Sequence, residues 1–197
     1  LWRYNRRLFA DLLLNASRQS LRQLLLDPKY LGATPAIISA LHTWGRNLAI
    51  HPHAHCLVTA GGLNREGRFV EQKRASLLPA RVLMTVFRGI LRRMLLEALS
   101  ADALCLPPSL SPAKTRSLLN RVGRCRWNVR IQERYRSGAS VAGYLARYVS
   151  GGPISDKQLH TVTETEISFW YRDHRDGQRK LLRLSPDEFL TRWFEHV

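Results

Sequence analysis

The residue types best suited to chemistry lie in two short stretches, His51-Pro52-His53-Ala54-His55-Cys56-Leu57-Val58 and Tyr144-Leu145-Ala146-Arg147-Tyr148-Val149. In the first, His53 and His55 flank one small apolar residue and lead into the apolar segment Cys56 to Thr59. Side chains two apart on a β-strand point to the same face. The spacing therefore predicts two imidazoles side by side, which is half of a metal site. A complete site needs a further ligand from elsewhere. His42 and His51 are the candidates, with Asp156 a weaker one, and the sequence leaves the choice open. In the second stretch, Tyr144 and Tyr148 stand four apart in a helix-like segment, which puts both hydroxyls on one helical face with Cβ atoms roughly 5–6 Å apart. An isolated tyrosine pair is ordinarily a packing feature, because the ring buries well while the hydroxyl stays wet. Here Arg147 adjoins Tyr148. A tyrosine hydroxyl, with a pKa of about 10, is a poor nucleophile at neutral pH. It becomes competent when a cation draws charge from a target phosphate and holds that phosphate for attack. A metal-binding strand and a tyrosine helix together point to chemistry on a DNA phosphate.

The charge agrees. The 197-residue chain carries 31 Lys+Arg against 15 Asp+Glu, a formal net charge of +16, with arginine far outnumbering lysine. Guanidinium is the group suited to bidentate phosphate contacts and to stacking on bases, so a polyanionic partner is expected, and nucleic acid rather than membrane. No apolar run approaches the ~18–20 residues of a membrane span. Cys56, Cys105 and Cys125 are far apart and form no C-x-x-C pair, which argues against a disulfide framework or a zinc finger. The chain opens Leu1-Trp2-Arg3-Tyr4 without a Met, as a piece cut from something longer would.

The elements that must position these residues read as follows. Residues 4–26 show apolar residues at helical spacing, ended by Asp27-Pro28. A second helix is expected from Pro35 through Ile37, Ile38 and Leu41 to about Arg46, followed by the histidine strand over about 53–60, with Pro52 holding His51 outside regular strand. Gly61-Gly62 and Glu66-Gly67 read as turn signals, with a return strand over 68–71. Residues 79–99 form the clearest helix, with a short basic one over 112–122. Residues 124–134 alternate cleanly, Cys125, Trp127, Val129 and Ile131 on one side and Arg124, Arg126, Asn128, Arg130 and Gln132 on the other, as in a half-buried strand with a basic outer face. Arg124, Arg126, Arg130 and Arg147 are the candidate DNA-phosphate contacts, and one of Trp170 and Tyr171 is expected to stack on a base while the other packs inward. The tyrosine helix is expected over 140–149 with Ser140 as N-cap. Strands follow over 158–172 and 179–184, joined at Asp176-Gly177, and Ser185-Pro186-Asp187-Glu188 opens a last helix to about His196. The pattern is α+β, helices against one antiparallel sheet of about 4–5 strands.

At this level the residues resemble a family. His53-Ala54-His55 is similar to the histidine-hydrophobic-histidine motif of HUH endonucleases. Leu41-His42-Thr43-Trp44-Gly45-Arg46, the run from His51 to Gly62, Tyr144-Leu145-Ala146-Arg147-Tyr148, Ile154-Ser155 and Leu184 to Phe189 resemble the transposases of the insertion sequence ninety-one family. The resemblance implies one HUH-type catalytic domain over 1–197, with a helical lead-in (1–50), a sheet core (51–184) and a C-terminal helix (185–197), and without the family's cysteine-rich zinc-binding head. It implies rolling-circle transposition in the bacterial cytoplasm, at the nucleoid. Single-stranded DNA at transposon ends and target would be cut and rejoined through a 5′-phosphotyrosine, with Tyr144 and Tyr148 as nucleophiles and His53 and His55 holding Mg²⁺ or Mn²⁺. No membrane and no small-molecule substrate is implied. Two other readings compete. His51, His53 and His55 also fit the histidine-triad pattern of nucleotide hydrolases, which needs neither the tyrosine pair nor the large positive charge. A non-catalytic DNA-binding transposase remnant would share the charge without the chemistry.

Overall fold

In the computed structural model, the described residues are 1–74, 76–135, 137–149, 152–173 and 175–196, with the side chains of 147–149 outside the description. The chain divides into two compact units, Leu1–Ala40 with Ala54–Arg136, and Leu41–His53 with Ser137–Val197. Its class is α+β, consistent with the HUH-like fold implied by the resemblance.

The first unit is built on two long helices, α1 (Arg6–Leu26) and α2 (Ala80–Ser100). On α1 the buried residues are Leu13, Ala16, Ser17, Ser20, Leu21, Leu24 and Leu25, the three-and-four spacing of a single helical stripe. Ala16, Ser17 and Ser20 keep that stripe thin, and both serine hydroxyls return to the helix's own carbonyls, Ser17 to Leu13 at 2.8 Å and Ser20 to Ser17 at 2.9 Å. Buried hydroxyls are thereby satisfied while α1 packs on α2, whose Leu91, Leu95 and Leu99 point inward. Asp27 ends α1 in an extended conformation ahead of Pro28, as the ring of a following proline demands. Helix α3 (Pro112–Val122) begins where the sequence places it, with Ser111 accepting from Lys114 N–H. Asn5, nearly buried, ties the chain's start to the loop after α2: its side chain donates to the Cys105 carbonyl at 2.8 Å and accepts from the Cys105 amide at 2.7 Å.

Seven strands lie in three small sheets among the described residues, in place of one sheet of four or five. The segment expected as a second helix is instead β1 (Ile37–Trp44), hydrogen-bonded to β2 (Ile50–Val58). The apolar spacing of Ile37, Ile38 and Leu41 suits a helix, but a neighbouring strand offers these β-branched and aromatic side chains a pleated surface, and that tertiary partner overrides the local pattern. Pro52 and His51 lie inside β2, not before it; in a two-stranded sheet the outer side of each strand is an edge, where a residue without N–H is tolerated. Gly61 and Gly62, expected as a turn, belong to β3 (Gly61–Leu63), paired antiparallel with β4 (Phe69–Glu71). The reason is close approach: a Cβ on Gly61 would overlap the Phe69 ring, and one on Gly62 would overlap the Thr34 carbonyl. The turn itself is at Gly67, with φ +75°. Residues 124–134 form no strand. The alternation is only partly reflected in burial. Trp127 packs against Phe87 (ring centroids 5.6 Å) and Ile131 against the leucine core. Cys125, expected on the inner side, is exposed like Arg124, Arg126 and Arg130, because among the described residues no partner strand covers that end.

The second unit holds α4 (Gly138–Val149), the antiparallel sheet β5 (Leu159–Val162), β6 (Ile167–Arg172) and β7 (Arg179–Leu184), and α5 (Pro186–Phe194). The stretch expected as one strand over 158–172 is thus two, because Thr163 closes a turn with Glu166. Ser140 lies within α4; it is Ser137 whose hydroxyl accepts from the Ser140 amide at 3.2 Å. Phe169 on β6 is fully buried with Leu184 and Leu48, and Leu182, Tyr171 and Phe189 pack around them.

The β6–β7 turn is organised by Asp173. Its buried carboxylate accepts from the Arg175 amide (2.9 Å), the Arg175 guanidinium (3.1 Å) and Lys180 Nζ (2.8 Å). The Arg175 guanidinium first, then Lys180, hold this carboxyl well below the usual carboxylate range, and Lys180 is pushed up in return. A carboxyl lowered by folding stabilises the fold above its unfolded pKa near ~3.9, and that contribution is lost as pH falls toward the folded value. Arg175 is 87% exposed, so water screens the pair and the effect is modest. Asp173→Asn is therefore expected to lower the thermal midpoint at neutral pH. The gap to the unsubstituted chain should shrink as pH is taken below ~4, followed by circular dichroism; a gap constant with pH would assign the loss to packing instead.

Candidate metal centre

The histidine strand is held by its hairpin. Gly45 and Leu48 close the turn between β1 and β2, Leu48 N–H to the Gly45 carbonyl at 3.0 Å and Gly45 N–H to the Ala49 carbonyl at 2.8 Å. Leu48 sits at φ 61°, a left-handed conformation that a branched side chain adopts at a cost of about 1–2 kcal/mol. Its side chain, 0% exposed, is what fixes it there. Along the hairpin, Thr59 N–H meets the Ala36 carbonyl, Ser39 meets Cys56, and His42 meets His53. The residue numbers of these pairs keep a constant sum, as antiparallel pairing requires.

That register brings a third imidazole beside the histidine pair. His42, His53 and His55 form a group in which one ligand atom from each lies within 4.8 Å of the others. His42 is 6% exposed and stacks on Trp44 with ring centroids 4.5 Å apart at 16°, and its ring meets His53 edge-on at 5.6 Å. His53 Nδ1 lies 2.6 Å from the His51 carbonyl. A carbonyl only accepts, so Nδ1 carries the proton and Nε2 carries the lone pair in the neutral ring, the arrangement that orients a ligating histidine. His51 thus contributes its backbone oxygen, and its own ring, exposed and 5.0 Å from that of His53, is not in the ligand group. Asp156, at the start of a short 3₁₀ turn, is not in it either. Burial pushes the neighbouring Cys56 thiol up, against a smaller opposite effect of its Ser39 hydrogen bond. The thiol stays protonated at neutral pH, and the thiolate is the form that competes for a metal.

Sequence reasoning missed the supports of this hairpin. His196 Nε2 lies 3.1 Å from the Leu48 carbonyl and its Nδ1 lies 3.0 Å from the Thr43 hydroxyl, while Arg192 donates to the Asn47 carbonyl at 3.2 Å. The carbonyl fixes Nε2–H as donor and leaves Nδ1 to accept from Thr43. α5 and the residue pair beyond it therefore brace both the turn and the strand that carries His42. Nothing in the spacing of Thr43 and His196 signals this, because the contact is made only by the fold.

The remaining candidates are distributed as follows. Tyr144 lies on α4 and is 9% exposed. The side chains of Tyr148 and Arg147, on the same helix, lie outside the described residues. Tyr171 packs inward on the core of the second unit, whereas Trp170 is half-buried and carries Arg179 over its ring at 4.6 Å.

Comparisons with known proteins give the family. Residues 36–197 match the family model described as "Putative transposase". The chain is 32% identical over 98% of its length to "Putative transposase y4qJ" of Sinorhizobium fredii, covering 50% of that protein. It is 31% identical over 88% of its length to "Transposase for insertion sequence element IS801" of Pseudomonas savastanoi pv. phaseolicola, covering 42% of that one. The chain thus spans about half the length of the curated relatives it matches. No solved structure matches. No helix among the described residues is long and apolar enough to cross a membrane. The motifs around His53 and Tyr144 and the match over most of the chain lead to one assignment: the chain belongs to this transposase family, of the insertion sequence ninety-one type.

Proposed function

We propose that residues 1–197 act as one HUH-type catalytic domain that cuts and rejoins single-stranded DNA at transposon ends and target during rolling-circle transposition, on nucleoid DNA in the cytoplasm. The observation that carries this reading is the convergence of His42, His53 and His55 on one hairpin, in a chain of a transposase family that also bears two tyrosines on one helix. Three imidazole nitrogens are a donor set that suits Mn²⁺ and similar ions better than Mg²⁺, which prefers oxygen. His53 and His55 are ligands in this reading, with His42 as the third. A divalent ion held there would withdraw charge from the scissile phosphate and orient it.

Tyr144 and Tyr148 are the nucleophiles. The tyrosine hydroxyl loses its proton and its oxygen bonds to phosphorus, and the 3′-oxygen of the preceding nucleotide departs and takes up a proton as a 3′-hydroxyl. One phosphoester replaces another, so rejoining needs no nucleotide triphosphate. Arg147, with Arg124, Arg126 and Arg130, would contact neighbouring phosphates. The burial of Tyr144 favours a variant of this reading in which Tyr144 packs and one tyrosine suffices.

The test is a denaturing gel of the chain with a labelled single-stranded oligonucleotide from the end of its element, with and without Mn²⁺. A covalent adduct is expected that needs metal, survives at least one of Tyr144→Phe and Tyr148→Phe, and vanishes in the double variant. Tight binding to DNA without adduct would favour the non-catalytic reading, and metal-independent hydrolysis of a small nucleotide would favour the histidine-triad one.

A further inference from the structure

On α2, Arg88, Gly89 and Arg92 recur at the one-turn spacing that gathers side chains on one helical face. With Asn120 of α3 and Gly123 and Arg124 just past its end, they line a cavity of about 300 Å³ within the first unit. The two helix arginines are half-buried and held by neutral acceptors: Arg88 donates to the Cys125 carbonyl at 2.5 Å, and Arg92 to Asn120 Oδ1. Among the described residues no carboxylate pairs with Arg88, Arg92 or Arg124. The adjacent Arg93 is different, since Glu97 neutralises it at 2.8 Å. Two glycines shape the cavity. A Cβ on Gly123 would overlap Arg92 Cδ, so only glycine lets that side chain lie across the end of α3, while nothing lies within 4 Å of a Cβ on Gly89, which leaves one wall open.

Three guanidinium groups, two of them partly desolvated and pre-oriented, with an amide beside them and no acid, form the donor set for a phosphate anion. We infer that this pocket binds a backbone phosphate of single-stranded nucleic acid, at a subsite sharing no residue with the histidine group. The inference rests on the DNA reading above and adds Arg88 and Arg92 as residues that fix the strand's position without reading its sequence.

The test is fluorescence anisotropy with a labelled oligothymidine across a KCl series. Arg88→Gln/Arg92→Gln is expected to weaken binding about tenfold or more and to flatten the salt dependence by about 0.7 in log–log slope for each phosphate no longer neutralised. Gly123→Ala, which moves Arg92 without changing charge, is expected to weaken binding several-fold. Arg93→Gln removes one positive charge from the same helix outside the pocket and is expected to stay within about twofold of the unsubstituted chain. Circular dichroism checks that each variant folds. Equal weakening by Arg93→Gln and by the single variant Arg92→Gln, which also removes one charge, would replace the pocket with a general charge effect. Binding of ATP by calorimetry that the double variant loses, with oligothymidine binding unchanged, would make it a free-nucleotide site and overturn the backbone assignment. Failure of the unsubstituted chain to bind oligothymidine at low salt would instead defeat the DNA reading itself, an outcome separate from binding that ignores Arg88 and Arg92.

Discussion

His42→Phe is expected to abolish metal binding at the hairpin and to cut metal-dependent DNA cleavage by about a thousandfold or more, the equivalent of the several kcal/mol that a metal supplies to a transition state. The substitution isolates one atom type. A phenyl ring can still stack on Trp44 at this buried position (His42 is 6% exposed), and it replaces both ring nitrogens with carbon in a slightly larger ring. Folding of the metal-free chain should therefore change by about 1–3 kcal/mol, the range for a lost hydrogen bond together with a modest increase in side-chain volume. His51→Ala is the matched control. Its imidazole lies outside the ligand group, while the atom that orients His53 is the His51 carbonyl, which the substitution leaves in place. Titration calorimetry with Mn²⁺ should show affinity lost in His42→Phe and kept in His51→Ala. The reverse pattern would move the third ligand to His51 and show that the hairpin register rearranges when metal binds.

Leu48→Ala is expected to destabilise the chain by about 2–5 kcal/mol, the range for removing a fully buried leucine when the site cannot collapse completely. Leu48 is 0% exposed, packs with Phe169 and Leu184, and occupies a left-handed turn position at φ 61°. Leu48→Gly separates the two effects. It relieves about 1–2 kcal/mol of backbone strain, but it removes the same packing, so it is still expected to be less stable than the unsubstituted chain. Urea unfolding followed by tryptophan fluorescence gives both values. A loss under about 1 kcal/mol in Leu48→Ala would mean that His196 and Arg192, bonded to the Leu48 and Asn47 carbonyls, hold the turn without it.

Much of the local structure was legible because it depends on neighbours in sequence. The stripe of α1, the Ser185 cap, and the Asp176-Gly177 turn with Gly177 at φ +70° each follow from residues within one or two turns of each other. The same holds for His53 and His55, whose shared face is fixed by the pleat of a single strand. The sequence alone thus determined the α+β class, the basic character, the histidine pair and the family resemblance.

The third imidazole was another matter. His42 became a member of the group only because residues 37–44 pair as a strand with β2, although their own apolar spacing reads as helix. Gly61 and Gly62 likewise serve close approach to Phe69 and Thr34 and not a turn. The alternation of 124–134 marked Trp127, Val129 and Ile131 as partly buried, but it misplaced the exposed Cys125 and could not show whether a neighbouring strand exists to pair with. In each case the deciding partner is distant in sequence, and a backbone hydrogen bond or ring contact to a distant residue leaves no periodic trace in the segment that makes it. Tertiary pairing therefore set the histidine cluster, and local pattern set only the strand on which two of its members stand.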